Sequence, residues 1–166
     1  PFNSLQKPLH QMTLGLITTA VPYNPAKGEQ GKGAPYNSYA KFYEPYALPT
    51  SVDPDLRIAH VGIDRKHADM VDMACWFPIS AARKSVASKR IAKLANRFYG
   101  LPTNRSQRQT LEIDAPLVLE MCQVDHVDAV ILIPNCPICH QSISLLARYL
   151  EDANIPTVII GAAKDI

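Results

Sequence analysis

Residues 127–134, "VDAVILIP", constrain the fold more than any other stretch. The apolar, largely β-branched run that follows Asp128 reads as a strand buried on both faces, as in the middle of a parallel sheet. It runs through "NCPICHQ" into "SISLLARYLEDAN", which has amphipathic helical spacing, and then into "IPTVIIG" (155–161), a second apolar run. Strand, helix and strand joined by short links can pair only through a crossover connection, which makes the two strands parallel. "IPTVIIG" is apolar enough to be expected as another central strand.

The same alternation runs upstream. "MTLGLITTAV" (12–21) reads as a buried strand ending in small polar residues, and "LRIAHVGI" (56–63) as a second strand. "DRKHADMVDMACW" has helical spacing, with Asp64 placed to cap it and Pro78 placed to end it. "ISAARKSVASKR" reads as a helix, and "IAKLANRFYG" (91–100) as a weakly marked strand. "LPTNRSQRQ" is a loop with Thr103 or Ser106 as caps. "TLEIDAPLVLEMCQVD" is a helix in which Pro116 is tolerable only near the first turn. Residues 22–55 differ: they are dense in Pro, Gly, Asn and Tyr and show neither period. A loop that long in a compact domain is functional or disordered, and its tyrosines argue for an ordered covering loop. The expectation is one α/β domain over 1–166, doubly wound, with a mainly parallel sheet and helices on both faces, flavodoxin-like or Rossmann-like. Such a sheet usually continues into another helix, so the chain is expected to be incomplete at its C-terminus.

The 17 basic and 15 acidic residues leave a net charge of +2, too balanced for a nucleic-acid surface. No apolar run approaches the roughly 18 residues of a membrane span. "PFNSLQKPLHQM" has no apolar signal core, so a reducing cytoplasm with free thiols is expected. Cys75 and Cys122 lie in apolar patterns and are expected to be buried packing residues.

Cys136, Cys139 and His140 form a Cys-x-x-Cys-His where a strand hands over to a helix. Four readings compete. Covalent haem matches literally, but attachment normally needs export. Zinc would need a fourth ligand, with His67 or His60 as candidates across the sheet. Two half-buried thiols beside a turn would need no function. A redox or nucleophilic site would use Cys136 to attack and Cys139 to resolve. In a parallel sheet, ligands bind beyond the carboxyl ends of the strands, and the free N–H groups of a helix start favour a thiolate.

These residues bring a resemblance with them. "LGLITTAVPYNP", "DPDLRIAHVGIDRKHADMVDMACWFPISAARK" and "VDAVILIPNCPICHQSISLLARYLEDANIPTVII" stand in an order and spacing similar to the selenoprotein B subunit family of the glycine, sarcosine, betaine and D-proline reductases. The resemblance covers most of the chain. It places Cys136 at the selenocysteine position and Cys139 at the following cysteine. It implies reductive cleavage of a bond in a small polar substrate, electrons from a dithiol donor, and work within a multi-subunit complex. A thiol is a poorer leaving group and has a higher pKa than a selenol, so Cys136 would need help from its surroundings, with His140 and the helix start as candidates.

Further candidates follow the same strand ends. Asn24, Lys27 and Asn37 lie in the long loop after the first strand and could touch substrate, or form plain surface. Asp64, Arg65 and His67 follow the second strand; His67 is a candidate acid/base, the alternative being a solvated helix start. Asn104, Arg105 and Arg108 could hold a carboxylate, or be exposed charges before a helix. Asn135 could orient a substrate or shape the turn. The expected partners are a small-molecule substrate and, because a bare sheet edge is normally covered, a second copy, a second subunit or a C-terminal segment, with the Tyr-rich loop supplying contact surface. No cofactor is required, and zinc stays an alternative.

Overall fold

The computed structural model describes residues 3–28, 31, 42–58, 62–64 and 66–161. Its centre is a sheet built from β1 (Thr13–Thr18), β5 (Lys93–Leu94), β6 (Arg97–Gly100), β7 (Ala129–Ile133) and β8 (Thr157–Ile159), with β3 (Tyr46–Pro49) on one edge. The spatial order is β3-β6-β1-β7-β8, and β5 pairs the start of β1 on the β6 side. All pairings are parallel except β3 with β6. Taking β5 and β6 as one interrupted strand, the parallel strands run second, first, third, fourth. That is the flavodoxin-like doubly wound order, whose switch point lies between β1 and β7.

Every residue of β1 is buried, as expected of a strand with neighbours on both sides and helices on both faces. On one face Ile17, Tyr99, Val130 and Leu132 pack against Val118 and Cys122 of α3 (Ala115–Val124) and Ile143, Leu146 and Leu150 of α4 (Pro137–Asp152). On the other, Leu16, Phe98 and Ile133 pack against Trp76, Phe77 and Ile79, the last opening α1 (Ile79–Ala87). Each such buried side chain contributes about 1.5–3 kcal/mol. The alternation along β7 delivers neighbouring residues to opposite faces, which is why its sequence is apolar throughout.

Several expectations are corrected. The described residues of 64–76 form turns, not a helix, ending in a 3-10 turn, Met73–Cys75, capped by Asp72 Oδ1 on Ala74 N–H at 2.9 Å. Asp64 does cap, but it caps an isolated turn, receiving the N–H groups of Lys66 and His67 at 3.0 and 3.2 Å. Among the described residues of the second strand, Leu56–Arg57 forms β4, which pairs antiparallel with β2 (Val21–Pro22) outside the main sheet. It lies apart from the main sheet because β6 and β7 flank β1. Within the supposed loop, Tyr46–Pro49 forms the antiparallel edge strand; four residues ending in Pro carry too little period to be recognised, and Pro is tolerated at an edge. Tyr46 lies so close across Gly100 that a Cβ there would stand 1.9 Å from its ring. "IPTVIIG" forms the other edge: among the described residues β8 pairs only with β7, leaving Val158, Ile159 and Ile160 exposed.

The helix through Pro116 begins earlier than expected. A turn of α2 (Gln107–Gln109) is capped by Ser106 on Gln109 N–H at 3.2 Å and passes through a π-helical turn, Thr110–Asp114, into α3. The wider turn shifts the hydrogen-bond register just ahead of Pro116, where the ring has no N–H to give. Among the described residues no helix is long and apolar enough to cross a membrane.

Candidate active site

The carboxyl ends of β6, β1 and β7 deliver Thr103, Thr19 and Cys136 to one place. Cys136 is the N-cap of α4: its backbone is extended and its Sγ accepts the N–H of Cys139 at 3.2 Å, while Pro137 occupies the first helical position. A thiol thus takes the role usually filled by a serine or aspartate oxygen. One turn on, Cys139 lies fully buried and its Sγ accepts the Thr103 hydroxyl at 3.4 Å. Cys136 is 2% exposed. Both cysteines are free thiols.

Asn135 braces the approach. Its main-chain N–H donates to Thr19 Oγ1 at 3.0 Å, its Oδ1 accepts the Thr19 hydroxyl at 3.0 Å, and its Nδ2 donates to the Trp76 carbonyl at 2.9 Å. One buried amide therefore ties β7, β1 and the segment leading into α1. Gly62 closes the other side: a Cβ there would meet Pro137 Cδ at 2.9 Å and lie 3.8 Å from Cys136 Cβ. Only a residue without a side chain lets this turn sit against the start of α4.

The two thiols titrate as a pair. Burial pushes Cys139 up, but the Cys136 thiol and the Thr103 hydroxyl, both donating to its sulfur, outweigh it and hold Cys139 below the ordinary thiol range. Cys136 moves upward, because its thiol donates to Cys139, because it is buried, and because a charge on Cys139 opposes a second one. A charge on one sulfur opposes a second on the other, so the two cysteines lose their protons as a unit.

The remaining candidates are more scattered. The His140 ring donates from Nδ1 to the Cys136 carbonyl at 2.7 Å and turns Nε2 toward Gly161, where a Cβ would stand 2.6 Å away. It braces the helix start against the end of β8 and makes its hydrogen bond with main chain rather than sulfur. His67 pairs with Asp64 Oδ2 at 2.8 Å in an exposed turn. That contact is the largest reason the Asp64 carboxyl is held below its usual range. Asn104 donates to the buried Asp114 at 2.9 Å. Arg105 is exposed, and Arg108 is taken by Glu112 at 2.7 Å in an exposed i,i+4 pair. Asn24 caps a short turn through Ala26 N–H at 3.0 Å and, with Lys27, lines an open cavity of about 330 Å³ bounded by Tyr23, Phe42 and Tyr46. Asn37, Arg65 and His60 lie outside the described residues, as do Tyr36 and Tyr39 of the Tyr-rich loop. Cys75 is exposed, contrary to expectation, because its segment is a surface turn and not a helix. Cys122 is buried as expected. No three His, Cys, Asp or Glu side chains gather as a metal set among the described residues. With the His140 ring turned onto main chain, the zinc reading is not favoured.

Thr19, Thr103, Gly62 and Asp114 were missed as site residues. The only signal was the pair of threonines closing the first strand, too common a feature to single out.

The comparisons bear on this dithiol. The chain is 29% identical over 165 residues to a curated protein, D-proline reductase subunit gamma of Acetoanaerobium sticklandii. The likeness is to a reductase subunit. It covers 96% of this chain and 64% of that protein's length. D-proline reductase is among the reductases whose family the sequence resembles. No protein-family model matches the chain, and no solved structure matches it.

Proposed function

We propose that this chain is a subunit of a reductase in which Cys136 and Cys139 supply the two electrons for reductive cleavage of a small polar substrate. The observation that carries the reading is the vicinal dithiol at the start of α4, on the carboxyl edge at the sheet's switch point, its sulfurs one turn apart and met by an N–H and a hydroxyl. The likeness to a D-proline reductase subunit supports it and points to a substrate bearing an amine and a carboxylate.

Cys136 is the attacking sulfur. The thiolate of Cys139 takes the Cys136 proton as attack begins, Cys136 bonds to the substrate atom, and the leaving group departs with that proton, which restores the Cys139 thiolate. Cys139 then attacks Cys136 Sγ, the sulfur–substrate bond breaks, and the released fragment takes a proton from water. The dithiol becomes a disulfide, the cleaved bond becomes two bonds to hydrogen, and an external dithiol returns the site to its reduced state. His67 stands as a candidate acid/base. Asn24, Asn37, Arg65, Asn104 and Arg105 stand as candidate substrate contacts. Val158, Ile159 and Ile160 are exposed on β8, which among the described residues pairs only with β7, and they support a place within a larger assembly. The cytoplasm is the proposed compartment.

Supplying D-proline and related amino acids with a dithiol to the full assembly, with wild-type or Cys136→Ser subunit, tests this reading. Turnover should require Cys136, and oxidised protein should carry a Cys136–Cys139 disulfide by mass. Undiminished turnover in Cys136→Ser would overturn it.

A further inference from the structure

We infer that Thr103 is a positioning residue for the second half of the dithiol cycle, setting the readiness of Cys139 to attack Cys136. The inference rests on the dithiol reading above. Thr103 lies just beyond the carboxyl end of β6, and its hydroxyl donates to Cys139 Sγ at 3.4 Å. Thr19 is the weaker candidate, since Asn135 Oδ1 engages its hydroxyl proton at 3.0 Å.

The loop carrying Thr103 is anchored rather than free. The next residue, Asn104, donates through Nδ2 to Asp114 Oδ2 at 2.9 Å and accepts Ser106 N–H at 3.0 Å. Gln109 Nε2 donates to Asp114 Oδ1 at 3.3 Å. Asp114 is fully buried and closes the π-helical turn, with one oxygen holding this loop through Asn104 and the other holding Gln109 of α2. π turns recur at functional sites because they re-aim side chains without ending a helix. Here the turn directs a carboxylate at the loop whose threonine touches the inner sulfur.

The consequence is separable by step. Attack by Cys136 on an outside sulfur forms a mixed disulfide. Attack by Cys139 on Cys136 Sγ then expels the outside group as a thiolate and closes the internal disulfide. Only the second step needs charge on Cys139 as nucleophile. Removing the hydroxyl leaves a smaller thiolate fraction, partly offset by higher intrinsic nucleophilicity, so the second step should slow on the order of three- to tenfold.

The test uses the full chain with exposed Cys75 replaced by Ser as background, treated with one equivalent of methyl methanethiosulfonate. That reagent transfers a methylthio group to a thiolate and releases methanesulfinate. Acid-quenched samples are read by mass. In the background the Cys136 methylthio adduct should convert to the Cys136–Cys139 disulfide. In Thr103→Val the adduct should accumulate, with its formation changed less than about twofold. Thr103→Ser, which keeps the hydroxyl, should behave as the background and guards against a merely structural defect. Conversion in Thr103→Val at the background rate overturns the role of Thr103, as does failure of Thr103→Ser to restore it. A background protein that keeps its adduct, or carries it on Cys139, counts against the dithiol reading and takes the inference with it.

Discussion

Two buried cysteines sit in this fold in opposite surroundings. Cys122 faces β6 from α3, beside Asp125, which Arg97 grips through Nε and Nη2 at 3.0 Å each and which accepts the Tyr99 hydroxyl at 2.6 Å. Burial, and then the Asp125 charge, push the Cys122 thiol up to about 12, with Arg97 pulling only weakly the other way. Cys139 is buried as completely, yet the Cys136 thiol and the Thr103 hydroxyl donate to its sulfur at a helix start and hold it below the ordinary thiol range. Depth alone silences a thiol; depth with donors aimed at the sulfur activates one. The difference is made by what the strand ends present. The amino end of β6 offers an ion pair complete in itself, and its carboxyl end offers Thr103.

The largest effect should come from breaking the silent side. Asp125→Ala leaves Arg97 and the buried Tyr99 hydroxyl without their acceptor and should destabilise the fold by about 2–3 kcal/mol in chemical denaturation. The Asp125 carboxyl is raised by burial but lowered further by its bonds from Arg97 and Tyr99, so its folded-state pKa lies below the unfolded one. The stability it provides is present above an unfolded pKa of about 3.9 and is lost as pH falls through the folded value. Asp125→Ala should therefore flatten the acid limb of the stability profile, and an unchanged limb would show that other carboxylates dominate it.

Asn135→Ala should come next, at about 1–3 kcal/mol, because the Trp76 carbonyl and the Thr19 hydroxyl both lose buried partners. It should also slow closure of the Cys136–Cys139 disulfide, whereas Asp125→Ala should leave closure unchanged in the protein that remains folded. Equal closure rates in both variants would collapse the distinction between the two neighbourhoods.

Gly62→Ala should cost least, about 1 kcal/mol, since the turn can shift a few tenths of an ångström to relieve a 2.9 Å contact with the Pro137 ring. Its effect should appear at Cys136 and not at Cys122. Thiol exchange rates in the two places report it directly.

How much of this was legible beforehand follows from how each element earns its structure. β1, β7 and α4 are specified by their own patterns, and the dithiol between β7 and α4 was visible as a spacing at a strand end. β8 carries an interior strand's composition yet lies at an edge, because pattern records apolarity and not which neighbour is present. Residues 64–76 have helical spacing, but those described fold as turns around Asp64 and Asp72, whose carboxylates capture nearby N–H groups. Thr103, Asn104 and Asp114 belong to the site only through contacts across the chain: Thr103 meets Cys139 from 36 residues away. No local period encodes such a meeting. That the His140 ring turns onto the Cys136 carbonyl could not be read from its adjacency in sequence to Cys139.

The central claim is that the carboxyl-edge dithiol is reactive and the equally buried Cys122 is not. Limiting iodoacetamide applied to the Cys75→Ser protein across a pH series, with adducts mapped to each cysteine, tests it most directly. The account predicts labelling confined to Cys136 and Cys139, rising through an inflection below the ordinary thiol range, with Cys122 untouched until the pH approaches about 12 or the protein unfolds. Labelling of Cys122 alongside or ahead of the pair in folded protein would contradict it.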